Sequence, residues 1–387
     1  MYNFQFYLPT KVLFGEGQLQ NLHNEKMPGK KCLIVTSNGS STKKFGYLAA
    51  TEKELDLAGV EHILFDQIRP NPTRKSIMEA AKIAKDSGCD FVVALGGGSV
   101  MDASKMIVMM MTNEGDLWDY SGSKAGGKKQ FPKDGAPLIC ISTSAGTGSE
   151  MDCGGVISDD QVNEKTALIH PSMFPTISVV DPLLTMSVPP KFTAYQGMDT
   201  FFHAAETVIN RKGHPMSEMF ALKTIELIAK YLPIAYKDGS NKEARAYVHL
   251  ANSLAGFYML CTSEHTMEHA LGSAHPDLEH GAGLIMLSHA YFNFFVERKV
   301  AEEQFIKMAR AMGVENAEKP SDFIKALDSL ISAIGCSALK MSDYGITAAE
   351  VETLPQKVHE IIGGDPSGDP IKLTDDDYLL IYRQSYS

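Results

Sequence analysis

A chain of 387 residues is longer than one hydrophobic core usually supports, so two domains are expected; 44% hydrophobic against 21% charged residues excludes a disordered chain. A formal net charge of −11 argues against nucleic acid or an anionic membrane as partner, because either needs a basic surface to displace counterions. The start of the chain lacks the basic and apolar segments of a signal peptide, no apolar run reaches the roughly 18 residues that span a bilayer, and six cysteines without paired spacing suit reduced thiols, so a cytoplasmic protein is expected.

From about residue 30 to 185, short apolar runs alternate with polar-faced stretches of helical length, the pattern of βαβ units and a parallel sheet. Residues 31–36 read as a buried strand that ends in the turn Ser37-Asn38-Gly39-Ser40. A helix is predicted over 47–57 and a strand over 62–65. Residues 90–95, mostly β-branched or aromatic, form the clearest strand and run straight into Gly96-Gly97-Gly98-Ser99, after which a helix opens near Val100. The methionine-rich stretch 106–111 in that helix reads as core filling. Residues 124–133 read as a surface loop, and 137–142 and 177–180 as further strands, the second stopped by Asp181-Pro182. Beyond Val188-Pro189-Pro190 the strand pattern ends, and 216–236, 243–261, 284–298, 301–313 and 320–335 carry apolar residues at helical spacing. The expected fold is therefore an α/β domain with a parallel, Rossmann-like sheet over 1–185, followed by an all-α domain over 186–387.

Three constellations in this frame can carry chemistry. The first is Gly96 to Ser99 with Asp102: glycines without Cβ let backbone N–H groups approach a pyrophosphate, and the helix N-terminus behind them favours negative charge. It does not match G-x-G-x-x-G, and a tight turn alone also uses glycines. The second is the segment 142–150, again directly after a strand, where Thr143, Ser144 and Thr147 offer hydroxyls to a phosphate or a nicotinamide. Two such junctions at the carboxyl ends of parallel strands mark the place where open α/β sheets bind ligands, which makes the first half a dinucleotide-binding candidate.

The third constellation is Asp199 and His203, four apart on one helical face, then His265 and His269 with the same spacing, then His280 beside Gly281. Five of the twelve histidines fall between 265 and 289. A single histidine is most often a satisfied core residue, but a carboxylate with several imidazoles suits Zn²⁺ or Fe²⁺ and not Mg²⁺ or Ca²⁺, which prefer oxygen. The hydroxyl segment contains no G-x-S-x-G elbow, so a hydrolase is not supported.

These residues resemble the iron-containing, or group III, alcohol dehydrogenase family. The similarity runs from Pro9-Thr10-Lys11-Val12 through Pro70-Asn71-Pro72-Thr73, the Gly96 to Asp102 segment, Ala145 to Glu150, Gly197 to His203, and on to Gly281. The resemblance implies a metal held by Asp199, His203, His265 and His280, with His269 near the substrate as a proton relay, and an active site in the cleft between the two domains. It further implies a nicotinamide cofactor bound by Ser37, Gly39, Ser40, Asn71, Gly96, Gly97, Gly98, Ser99, Asp102, Thr143, Ser144, Thr147 and Lys165, and a homodimer or higher homo-oligomer. Members favouring NAD tend to carry Asp after the first of these strands; here Ser37 stands there, so NADP(H) is expected over NAD(H). The expected reaction is hydride transfer between a small alcohol or diol and its aldehyde. Rival readings are a metal-dependent lyase of the dehydroquinate-synthase kind and an inactive nucleotide-binding sensor.

Overall fold

The computed structural model describes residues 2–159, 161, 164–275, 277–361 and 363–386. They form two compact units: Tyr7–Ser187, and Val188 onward together with the residues up to Phe6.

In the first unit the strands are β1 (Lys11–Phe14), β2 (Lys31–Ser37), β3 (Glu61–Ile68), β4 (Phe91–Gly96), β5 (Leu138–Ser142), β6 (Gly154–Asp159), β7 (Glu164–Ile169) and β8 (Ile177–Val180). Among the described residues, six of them make one parallel sheet in the order β1-β8-β5-β4-β2-β3, and β6 and β7 pair as a separate antiparallel hairpin. The helices are α1 (Ser41–Lys44), α2 (Tyr47–Leu57), α3 (Arg74–Asp86) and α4 (Gly98–Thr112). Why β2, β4 and β5 read as unbroken apolar runs is visible in the packing. Leu33, Val35, Val92, Ala94 and Cys140 join a core with Ile77, Met101 and Met106, whereas Cys32, Ile34, Val93, Ile139 and Ile141 join another with Leu48 and Leu55. Both faces of a central parallel strand are covered, so successive residues alternate between two cores and none needs to be polar.

The helical unit contains α5 (Pro190–Ile209), α6 (Pro215–Lys237), α7 (Lys242–Phe257), α8 (Ser263–Gly272), α9 (His280–Glu297), α10 (Glu302–Ala311) and α11 (Ser321–Ala333). The shorter α12 (Ala348–Val351), α13 (Leu354–Val358) and α14 (Asp375–Ser385) follow. Starts are marked by local chemistry: Pro190 and Pro215 occupy first helical positions, and Asn241 caps α7 by accepting from the Ala244 amide. The helix expected over 243–261 stops at Phe257, because the Leu260 amide donates to Thr207 Oγ1 and the Thr262 amide to Glu206 instead of to carbonyls of their own chain turn. The residues up to Phe6 belong to this unit, although a division at 185 groups them with the sheet: Phe4 stacks on His214 at 3.7 Å, and Phe6 lies 6.0 Å from Phe220 and 6.2 Å from Tyr258.

Candidate active site

In the sheet unit, β2, β4 and β5 are neighbours and parallel, so the turns after them open on one edge. The chain leaves β2 for β3 on one side and then β4 on the other, which makes the β2/β4 junction the point where the winding reverses. Gly96–Ser99 and the hydroxyl segment are in contact there: a Cβ on Gly97 would stand 2.7 Å from Ser144 Oγ, and one on Gly98 2.5 Å from Thr147 Cγ2. The Thr143 amide donates to the Gly96 carbonyl at 3.0 Å. Helix α4 starts at Gly98, so the first-turn amides of Gly98 and Ser99 have no intrahelical acceptor and can face an anion.

Ser37 ends β2, half-buried, with Gly39 and Ser40 exposed beyond it. Of the two lysines that follow, Lys43 is already paired with Asp66 on β3. Asn71 is exposed with a left-handed φ of 53°, and Lys165 lies on β7 opposite Ser158, whose amide donates to the neighbouring Pro72 carbonyl at 2.9 Å. The segment holding Asn71 is thereby tied to the hairpin holding Lys165.

Asp102 is used within the fold. Its oxygens accept from Ser149 Oγ at 2.8 Å and from the Val156 amide at 3.0 Å. Burial, with Asp152 adding to it against the pull of Lys105, pushes its carboxyl up to about 6. Beside it the fully buried Lys105 donates to Ser149 Oγ (2.8 Å), Asp152 Oδ1 (2.6 Å) and the Gly154 carbonyl (2.8 Å), which uses all three ammonium protons. Burial disfavours that charge, but Asp152 and Asp102 outweigh it and raise the ammonium's pKa. Asp102 and Lys105 both follow the glycine turn in the sequence, but their tie to the end of the hydroxyl segment joins residues more than forty positions apart and is seen only in the fold.

In the helical unit, the Nε2 atoms of His203, His265 and His280 stand 3.6, 3.5 and 3.5 Å from Asp199 Oδ1. Asp199 Oδ1 and His265 Nε2 are both buried without a hydrogen-bond partner. These separations are long for hydrogen bonds, yet they match the edge of a tetrahedron with bonds of about 2.1 Å, roughly 3.4 Å. Burial alone would raise the Asp199 carboxyl; the facing His203 and His280 outweigh it and hold it well below the usual carboxylate range. Burial pushes His203 down to about 4, keeping that imidazole neutral. For His265 and His280 burial also opposes charge, but Glu206 raises the first and Glu268 the second, to about 9, so a cation arriving there displaces protons. An ionised carboxylate with imidazoles converging on it is the donor set of a Zn²⁺ or Fe²⁺ site.

His269, one helical turn after His265, is buried and not part of the Asp199 group; its ring lies 5.2 Å from that of His280. Of the same histidine-rich window, His275 turns to Glu350 (3.4 Å) and His289 to Asp328 (2.8 Å). Cys261 lies within ligand range of His203 and His265, and burial pushes its thiol up to about 11. Two carboxylates escaped the sequence reading. Glu206 meets His265 Nδ1 and Glu268 meets His280 Nδ1. Glu206 was findable, since it continues the Asp199–His203 face of α5 at the next turn.

Comparison with known proteins adds independent findings. Residues 9–182 match the family described as iron-containing alcohol dehydrogenase, and residues 193–386 the Fe-containing alcohol dehydrogenase family, C-terminal part. The chain is 30% identical to alcohol dehydrogenase 4 of Saccharomyces cerevisiae over 98% of both proteins. It is 29% identical to 1,3-propanediol dehydrogenase of Citrobacter freundii over 99% of both. Among solved structures, an archaeal halo-thermophilic alcohol dehydrogenase from a Red Sea brine pool superposes with a TM-score of 0.92 at 29% identity, covering 100% of this chain and 99% of that one.

Proposed function

The chain belongs to the iron-containing alcohol dehydrogenase family, an oxidoreductase of CH–OH groups, and we propose that it interconverts a small uncharged primary alcohol or diol with its aldehyde. We assign Asp199, His203, His265 and His280 as ligands of one Fe²⁺ or Zn²⁺, and NADP(H) as the preferred cofactor. The observation that carries this reading is the convergence of three imidazole Nε2 atoms on the orphaned Asp199 oxygen.

A divalent cation held there supplies Lewis acidity that makes an alcohol hydroxyl acidic near neutral pH, and the nicotinamide ring supplies the hydride acceptor. The protein's residues do the rest. The turn amides of Gly98 and Ser99 receive the pyrophosphate, with Gly96 and Gly97 leaving room for it and Thr143, Ser144 and Thr147 lining the same turn. Ser37, Gly39 and Ser40 receive the adenosine ribose and its 2′-phosphate, and Asn71 and Lys165 approach the cofactor from the hairpin side. His269 carries the hydroxyl proton away, which an imidazole does well near neutral pH. On this reading the sheet unit is the cofactor half and the helical unit the metal half.

A small uncharged substrate is supported by the absence of Lys and Arg from His265 to His289 and by the name of the Citrobacter relative. Neither a lyase nor a sensor finds support among the relatives. Zn²⁺ binds such donors more tightly than Fe²⁺, so metal supply in the cell decides which is present. The six cysteines are free thiols, which supports a reducing, cytoplasmic setting, and no helix among the described residues is long and apolar enough to cross a membrane.

The test is reconstitution without oxygen with Fe²⁺ or Zn²⁺, then a panel of short aldehydes with NADPH and NADH, followed by cofactor absorbance. His203→Ala is assayed for metal by elemental analysis. Full metal occupancy in that variant, or no turnover of any aldehyde by the loaded wild type, refutes the proposal.

A further inference from the structure

We propose that Glu206 and Glu268 are positioning residues for the metal centre: each accepts the Nδ1 proton of one ligand histidine, and so fixes which nitrogen, and which ring orientation, His265 and His280 offer to the cation. This rests on the reading of Asp199, His203, His265 and His280 as ligands.

Glu206 is completely buried on α5. Its Oε2 meets His265 Nδ1, while Oε1 accepts from the Thr262 amide (3.0 Å), Thr262 Oγ1 (2.9 Å) and the His265 amide (3.3 Å). Four donors from the chain entering α8 hold both oxygens, so the carboxylate cannot swing away from the imidazole. Glu268 performs the same task between α8 and α9. It is buried, its Oε2 meets His280 Nδ1, and its space is kept open by a glycine: a Cβ on Gly283 would stand 2.7 Å from Glu268 Oε1 and 2.8 Å from its Cγ.

An imidazole whose Nδ1–H is held by a carboxylate has its Nε2 lone pair free for a cation, and is a more basic ligand. Both histidines then present Nε2 to the cation while Nδ1 stays on its carboxylate. His203 differs. Its Nδ1 is buried without a partner, and its ring is held by stacking on His265 with centroids 4.4 Å apart and planes within 14°. The centre thus has two carboxylate-fixed imidazoles and one fixed by packing alone, which depends on the other two.

The experiment measures Zn²⁺ dissociation constants by competition with a chromogenic chelator, for wild type, Glu206→Gln, Glu268→Gln and His280→Ala in the full chain. Visible ligand-field spectra of the Co²⁺ forms and the stability of the metal-free proteins are recorded alongside. Each Glu→Gln change is expected to weaken Zn²⁺ binding by about 10–100-fold and to shift the Co²⁺ bands, with metal-free stability close to wild type. Should Glu206→Gln fail to fold, Glu268→Gln carries the test, since among the described residues its carboxylate is bonded to His280 alone. Wild-type Zn²⁺ affinity and Co²⁺ bands in Glu268→Gln, with binding lost in His280→Ala, overturn the positioning role and leave the metal site standing. Unchanged affinity in His280→Ala overturns both.

Discussion

Gly281 packs so closely against the carbonyl of Tyr195 that a Cβ built on it falls inside the van der Waals contact of that oxygen. Tyr195 precedes Asp199 by one turn of α5, and Gly281 follows His280 at the start of α9. The approach of the backbones that carry Asp199 and His280 is therefore set by a missing side chain. Gly281→Ala is expected to push α9 off α5, cost about 1–3 kcal/mol, and weaken Zn²⁺ binding by at least about tenfold. Gly122→Ala, where an added Cβ meets nothing within 4 Å, serves as the control. Equilibrium dialysis with elemental analysis decides; equal metal content in the two variants contradicts the argument.

Lys105 offers a second test, in the sheet unit. Lys105→Met leaves Asp102 and Asp152 facing each other without their cation, and a cost of about 3 kcal/mol is expected, the lower end for a broken buried pair because the Asp152 side chain is 30% exposed. The double change Lys105→Met with Asp152→Asn should recover part of it. Denaturant unfolding of both variants checks the energies. Cofactor affinity should fall with the single change, since the hydroxyl segment loses its anchor on α4; unaltered stability and affinity together count against the role.

Cofactor choice is tested at the end of β2. With Lys43 held by Asp66, Lys44 is the one of these two lysines proposed to meet a 2′-phosphate. Ser37→Asp should lower kcat/KM for NADPH relative to NADH by roughly tenfold or more, through like charge beside the phosphate. Lys44→Ala should impair NADPH use alone. A wild-type enzyme that prefers NADH refutes the assignment.

A pH dependence of stability follows from Asp369. This buried carboxyl accepts from the Ser263 amide (3.1 Å) and Tyr291 hydroxyl (2.7 Å), and burial pushes it from 3.8 up to about 6 despite those bonds. The folded state therefore binds the proton more tightly than the unfolded one. Its contribution is full below about 3.8 and is lost as pH rises to about 6, a change of about 3 kcal/mol. Asp369→Asn imitates the protonated form, so the variant should gain on the wild type by that amount between pH 4 and pH 7 in denaturant titrations. A constant difference across this window rules the explanation out.

What the amino-acid pattern disclosed depended on how local each cause is. The strands buried on both faces were legible because an unbroken apolar run has few other meanings, and α2 was found at Tyr47–Leu57 from its periodicity. β1 was missed because Lys11–Phe14 is short and only half-buried, and becomes a strand by adding to the edge of β8. The β6–β7 hairpin was missed because it opens with Gly154-Gly155, which reads as a loop, although Gly155 is required where the strand meets α4. The juxtaposition of Asp199 and His203, proposed as ligands, was legible since both sit on one helix. Glu268 was not, because its bond joins α8 to α9; Glu206 shares the face of Asp199 and His203, but its histidine lies on another helix. His275 and His289 look equal to the proposed ligands in the sequence, and only the fold turns them towards Glu350 and Asp328.

The aromatic contacts of the first residues set an order for synthesis. The sheet unit, Tyr7–Ser187, is complete once its last residue leaves the ribosome, and it can fold while the helices are still being made. Phe4 and Phe6 emerge ahead of the sheet unit, yet their partners His214, Phe220 and Tyr258 follow roughly two hundred residues later, about 10–40 s at ordinary translation speeds. Two exposed aromatic rings wait through that interval for a surface that does not yet exist. A bulky group placed directly beside Phe4 would thus burden the half that carries the histidines, and one held off by a flexible spacer would not.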